Sequence, residues 1–135
     1  MDVMSLRRRL LMMATRIQIY YGKALPRRST GETDYNTNGR RAATSAINVN
    51  AGDTLTITPP DGYRVALGVW IRRTSGGTDN PELYGGWDAN LNYTVQNNNC
   101  YARYVFRTIP TENIITDNAL QNKVKIHVNG KLYFA

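Results

Sequence analysis

Cysteine and histidine are nearly absent from this chain, and each scarcity removes a class of chemistry. Cys100 is the only cysteine, so no intrachain disulfide can form. That fits a reducing compartment, or assembly in one. His127 is the only histidine, and a Ser–His or Cys–His pair would have to use it. It sits mid-strand in Lys125-Ile-His-Val128, on the face opposite Ile126 and Val128. One His and one Cys do not make a usual zinc set. No Gly-x-Ser-x-Gly turn and no Walker or dinucleotide-type phosphate loop occurs. Long apolar runs are missing too. The stretch after the first arginines, Leu10 to Ala14, ends at Arg16. It is shorter than a signal h-region of roughly 7–15 residues and far shorter than a membrane span. The expectations are no enzyme, no metal or other cofactor, no signal peptide and no membrane segment.

What is present is unevenly distributed. The net charge is +7, yet the first 28 residues carry seven basic side chains against Asp2 alone. The other 107 residues hold ten basic and nine acidic groups, a net of +1. All 14 Asn and 13 of 14 Thr lie in that second part. Tyr and β-branched residues are frequent there, and long Leu/Ala/Glu/Lys stretches are missing, which is the composition of strands and turns. The reading is a basic N-terminal arm over residues 1–41 and a β-sandwich domain over 42–135. A body of roughly 100 residues can bury a core without staples.

Along the chain, Ser5 can cap a short helix over residues 4–14, with Leu6, Leu10, Met13 and Ile17 on one face. Residues 16–21 alternate as a strand, and Gly22 to Arg41 reads as an extended arm or a long loop. Strands are then expected at 44–49, 54–58, 63–73, 91–95, 100–108, 123–128 and 131–134. Pro59-Pro-Asp-Gly62 and Asn129-Gly130 are the clearest turns. In the run 63–73 the odd positions are apolar and are expected to face the core. Residues 74–90 form a loop, and 117–120 a short helical turn. About eight regularly spaced strands without crossover helices predict an all-β, antiparallel, jelly-roll-like sandwich or a barrel.

The start Met4-Ser-Leu-Arg-Arg-Arg-Leu-Leu-Met12 resembles the opening of phage and prophage structural proteins of gut bacteria. The body, through Gly52-Asp-Thr-Leu-Thr-Ile57, Gly62-Tyr-Arg-Val65 and Tyr101-Ala-Arg-Tyr-Val-Phe-Arg107, is similar in style to small β-sandwich modules of phage tails, baseplates and fibres. The resemblance implies a virion protein made in the host bacterial cytoplasm. It also implies self-association, in such proteins commonly as trimers, and contact with other virion proteins or host-surface glycans.

Three constellations could carry function. The loop 74–90 holds Asp79, Glu82 and Asp88 with Tyr84 and Trp87, types that suit a sugar site: rings stack on pyranose faces while carboxylates bond hydroxyls. A calcium loop, a carboxylate glycosidase and an ordinary core-capping connection are the other readings. The even-numbered face of 63–73 and the facing strand would gather Arg64, Trp70, Arg72, Tyr101, Arg103 and Arg107. This set suits a subunit interface or an anionic ligand. The arm, with Leu6, Arg7, Arg8, Arg9, Leu10 and Met13, suits docking into an assembly. Nucleic acid and an anionic membrane are the less favoured partners.

Overall fold

The computed structural model describes residues 14–27, 33–34, 37–72, 80–86 and 91–135, with residues 34 and 80–86 followed through their backbone alone. The helix expected over 4–14 lies, but for its last residue, outside them. Every described element is a strand: β1 (Thr15–Arg16), β2 (Ile19–Tyr21), β3 (Leu25–Pro26), β4 (Thr33–Asp34), β5 (Ala42–Thr44), β6 (Ile47–Val49), β7 (Thr54–Thr58), β8 (Tyr63–Arg72), β9 (Asn80–Gly86), β10 (Asn92–Thr94), β11 (Cys100–Thr108), β12 (Lys125–Val128) and β13 (Lys131–Phe134).

These strands form two main sheets. One runs β1-β13-β12-β7-β10, and the other β2-β5-β11-β8-β9, with β6 also pairing β11. β3 and β4 make a separate two-stranded ladder. All pairings are antiparallel except β1 with β13. Alternation explains the first sheet. In β7 and β12 only every second residue is buried. The register sets Ile126 against Ile57 and Val128 against Leu55, so all four face the other sheet. The β12–β13 turn needs positive φ at both central residues, and Asn129 (52°) and Gly130 (82°) supply it. The connection at 117–123 is a run of tight turns, with Ala119 N donating to Thr116 O and Gln121 N to Asn118 O, rather than a helix.

The second sheet departs from the expected parity. Val105 pairs with Leu67 but Phe106 pairs with Val65, which leaves Ala66 as an extra residue in β8. A bulge of this kind reverses which side chains face inward. Before it, Val65 points to the core, and after it Trp70 does. Trp70 was expected outward, yet it is fully buried. Its ring lies 4.5 Å from that of Tyr93 on β10 and 5.8 Å, edge-on, from Tyr104. Val69 and Ile71, expected in the core, are buried apart from it on the sheet's other face, opposite Arg103 and Tyr101. Gly68 makes room for the indole. A β-carbon there would stand 2.9 Å from Trp70 Cη2.

The two ends of the stretch read as an extended arm or a long loop are tied together. Gly22 N donates to Arg41 O, and Asn38 N donates to Gly22 O. Gly22 has φ of 71°, and a β-carbon would stand 3.2 Å from Gly39 Cα, so both conformation and space select glycine. Within this loop β3 touches β5 and β11. Residues 80–86, expected as part of a loop, form an edge strand on β8. Its register shift falls between Leu83 and Pro81, a position where a missing N–H is tolerated.

Candidate functional site

The arginines named from sequence do not share one surface. Trp70 and Arg72 belong to the inward face of β8, with Arg72 exposed at the strand end. Arg64, Tyr101, Arg103 and Arg107 belong to the opposite face. The bulge at Ala66 makes that division. Arg103 is 6% exposed and serves as an internal clasp. Its Nε donates to Thr44 O at 2.8 Å and its Nη2 to Ala24 O at 2.6 Å, tying the loop after β2 onto the sheet. Burial lowers its pKa, and the neighbouring Tyr20 and Tyr101 act in the other direction. Arg107 donates from Nε to Thr108 O and pairs with Glu112 at 3.3 Å.

Of the aromatic and acidic set, Asp79, Trp87 and Asp88 lie outside the described residues. Tyr84 is placed by its backbone, opposite Val69 in the β8–β9 ladder. The arm residues Leu6, Arg7, Arg8, Arg9, Leu10 and Met13 also lie outside them. His127 is exposed on β12 between Thr56 and Leu132. It lines an open groove of about 540 Å³ with Asp61, Lys123 and Lys125. Cys100 is buried, and its thiol donates to Asn97 O at 3.3 Å. Among the described residues no three His, Cys, Asp or Glu side chains gather as a metal site.

The groove richest in recognition chemistry lies where the chain crosses from one sheet to the other. β1 closes the edge of the first sheet and β2 the edge of the second. The segment between them forms one wall, and the turns at 117–121 form the other. The groove holds about 680 Å³ and is lined by Arg16, Gln18, Tyr20, Tyr21, Lys23, Asp117, Asn118 and Gln121, among others. Ligand sites commonly span about 300–1,000 Å³. Its walls are braced. Ile17 N donates to Phe134 O, Ser45 N to Gln18 O, and Leu120 N to the Tyr21 hydroxyl at 3.1 Å. Tyr20 donates to Gln18 Oε1 at 3.1 Å. Arg16 stacks 4.5 Å over Phe134. Burial raises the Tyr21 pKa, against the opposing effect of the Leu120 N–H bond that its hydroxyl accepts.

Phenols, amides, one carboxylate and the cationic side chains of Arg16 and Lys23 line this open trough as an array of hydrogen-bond donors and acceptors. Sequence reading missed this set because Tyr20 and Asp117 meet only through the topology. The consecutive tyrosines on a short alternating run were the one available hint. Comparison with protein-family models, with curated proteins and with solved structures returned no match to the chain.

Proposed function

We propose that this chain is a non-enzymatic structural and adhesion module of a phage-type particle. In this reading the sandwich is jelly-roll-like, and residues 1–13 hold the protein in a homo-oligomer or on a neighbouring virion protein. The groove between β1–β2 and the turns at 117–121 contacts host-surface glycans. The observation that carries the glycan contact is the lining itself: Tyr20 and Tyr21 beside Gln18, Asn118, Gln121 and Asp117 in one open trough. Support for anchoring through the N-terminal segment is its composition. Leu6, Leu10 and Met13 beside Arg7, Arg8 and Arg9 combine burial with charge pairing.

Two measurements test it. On a glycan array the intact protein should bind a defined subset of sugars. Gln121→Ala and Tyr20→Ala should each weaken that binding about tenfold, the equivalent of about 1.4 kcal/mol. A blank array for the intact protein removes the glycan role. In light scattering the full chain should be oligomeric, and a chain lacking residues 1–13 should be monomeric and folded. A monomeric full chain that binds DNA with a steep salt slope would instead support nucleic-acid binding.

A further inference from the structure

A second surface, separate from the groove, carries its own chemistry. The loop after β11 leaves the sheet at Thr108 and is held in shape by short bonds. Thr108 Oγ1 donates to Thr111 O at 2.6 Å, Asn113 N donates to Thr108 Oγ1 at 2.7 Å, and Ile115 N donates to Gly39 O at 2.9 Å. This ordered loop presents the two large exposed hydrophobic side chains found among the described residues, Ile109 (40% exposed) and Ile114 (67%). Ile114 leans over Gly39, where an added β-carbon would stand 4.0 Å from its Cγ2.

Between the two isoleucines sits Glu112, ringed by guanidiniums. Arg41 Nη2 pairs with its Oε1, and Arg107 Nη1 approaches the same oxygen at 3.3 Å. Arg40 Nη1 donates to the Glu112 carbonyl at 3.3 Å. The Glu112 side chain is 37% exposed and that of Arg41 23%, so the cluster lies at the surface. Apolar side chains beside arginine suit a protein interface, whose buried centre is more apolar than the rest of the surface and is enriched in Arg. A bare polyanion site would need the arginines and not the isoleucines.

We propose that Ile109, Ile114, Arg40, Arg41 and Glu112 form a docking surface for an acidic segment of a partner protein, one that sets carboxylates beside an apolar side chain. Charge complementarity selects the partner. Arg41 and Arg107 converge on the Glu112 carboxylate and Arg40 on its carbonyl, so this patch holds three guanidiniums against one carboxylate, a local surplus of positive charge that an acidic segment would offset. Glu112 holds the guanidiniums in a fork that a partner carboxylate can share or take over.

The test uses the intact protein and three probes: a glutamate-rich peptide containing leucines, the same peptide with serine for each leucine, and a heparin fragment. Backbone amide shifts should locate the leucine peptide at residues 39–41 and 109–115, and it should bind several-fold more tightly than the serine peptide. Ile114→Ser should erase that preference. Arg40→Gln should weaken both peptides, and Glu112→Gln should strengthen both by removing the internal competitor. Ile114 and Arg40 are exposed, so unchanged melting of their variants separates lost binding from lost folding. No saturable binding of the leucine peptide, or equal binding of both peptides with heparin displacing them regardless of Ile114, would overturn the proposal. Neither result bears on the glycan groove, which shares none of these residues.

Discussion

Single side chains in this protein do their work by where the backbone lets them point. Trp70 spans the two sheets because Gly68, two positions earlier on the same face, has no β-carbon to block the indole. Gly68→Ala should cost about 1–3 kcal/mol through overpacking, read as a lower melting temperature with a weakened near-ultraviolet tryptophan signal. The indole N–H of Trp70 and the hydroxyl of Tyr104 lack well-aligned hydrogen-bond partners in the core. Burial raises the Tyr104 pKa despite the adjacent indole. Glu112 shows the opposite behaviour. Its bond to Arg41, with the charges of Arg41, Arg107 and Arg40, holds its pKa below the ordinary 4.5. A depressed carboxylate contributes stability that is complete above its unfolded pKa and is lost as pH falls through the folded one. The melting difference between the native protein and Glu112→Gln should therefore be present at neutral pH, begin to shrink as pH falls past the ordinary 4.5 and disappear once the lowered folded-state pKa is passed. A difference that persists in strong acid would mean that the carboxylate charge is not what matters.

Strand identity was largely legible from alternation, whereas strand facing was not. Residues 54–58, 100–108 and 131–134 form strands with the bounds their patterns predict, and the run expected over 63–73 is a strand through Arg72, residue 73 lying outside the described residues. Asn129-Gly130 marked its hairpin because two consecutive positive φ values suit few other pairs. The bulge at Ala66 was hidden, since alanine carries none of the Gly or Pro signals that mark irregular backbone. One extra residue then turned Trp70, Val69 and Ile71 over together. The pair Gly68 and Trp70 was the legible clue, because a glycine beside a large ring on one strand face often marks ring-over-backbone packing. At the hairpin, Asn129 Oδ1 accepts from Thr54 N at 2.9 Å, and Nδ2 donates to Asp53 at 2.8 Å. Asn129→Ala loses both bonds and strains the left-handed backbone. It should cost about 1–2 kcal/mol, measurable by urea unfolding, while Asn129→Gly should recover the backbone part.

For the molecule as a whole, the charge divide near residue 28 is not a structural divide. Thr15–Arg16 and Ile19–Tyr21 join different sheets, and the Ala24 carbonyl caps buried Arg103. A deletion of residues 1–28 should therefore unfold the sandwich, whereas a deletion of residues 1–13 should leave its melting almost unchanged. Circular dichroism on the two truncated chains separates these outcomes. The candidate groove was illegible for the same reason that the boundary misled. Its residues are split between positions 16–23 and 117–121, and only the crossing of the chain between sheets brings them together. The parallel ladder of β1 and β13 has a mechanical consequence as well. A pull applied to the chain ahead of Thr15 would load Thr15 and Arg16 as shear on a two-residue ladder. The stack of Arg16 on Phe134 and the Ile17–Phe134 hydrogen bond are next in the load path. Under such a pull this two-residue edge would yield before the core does.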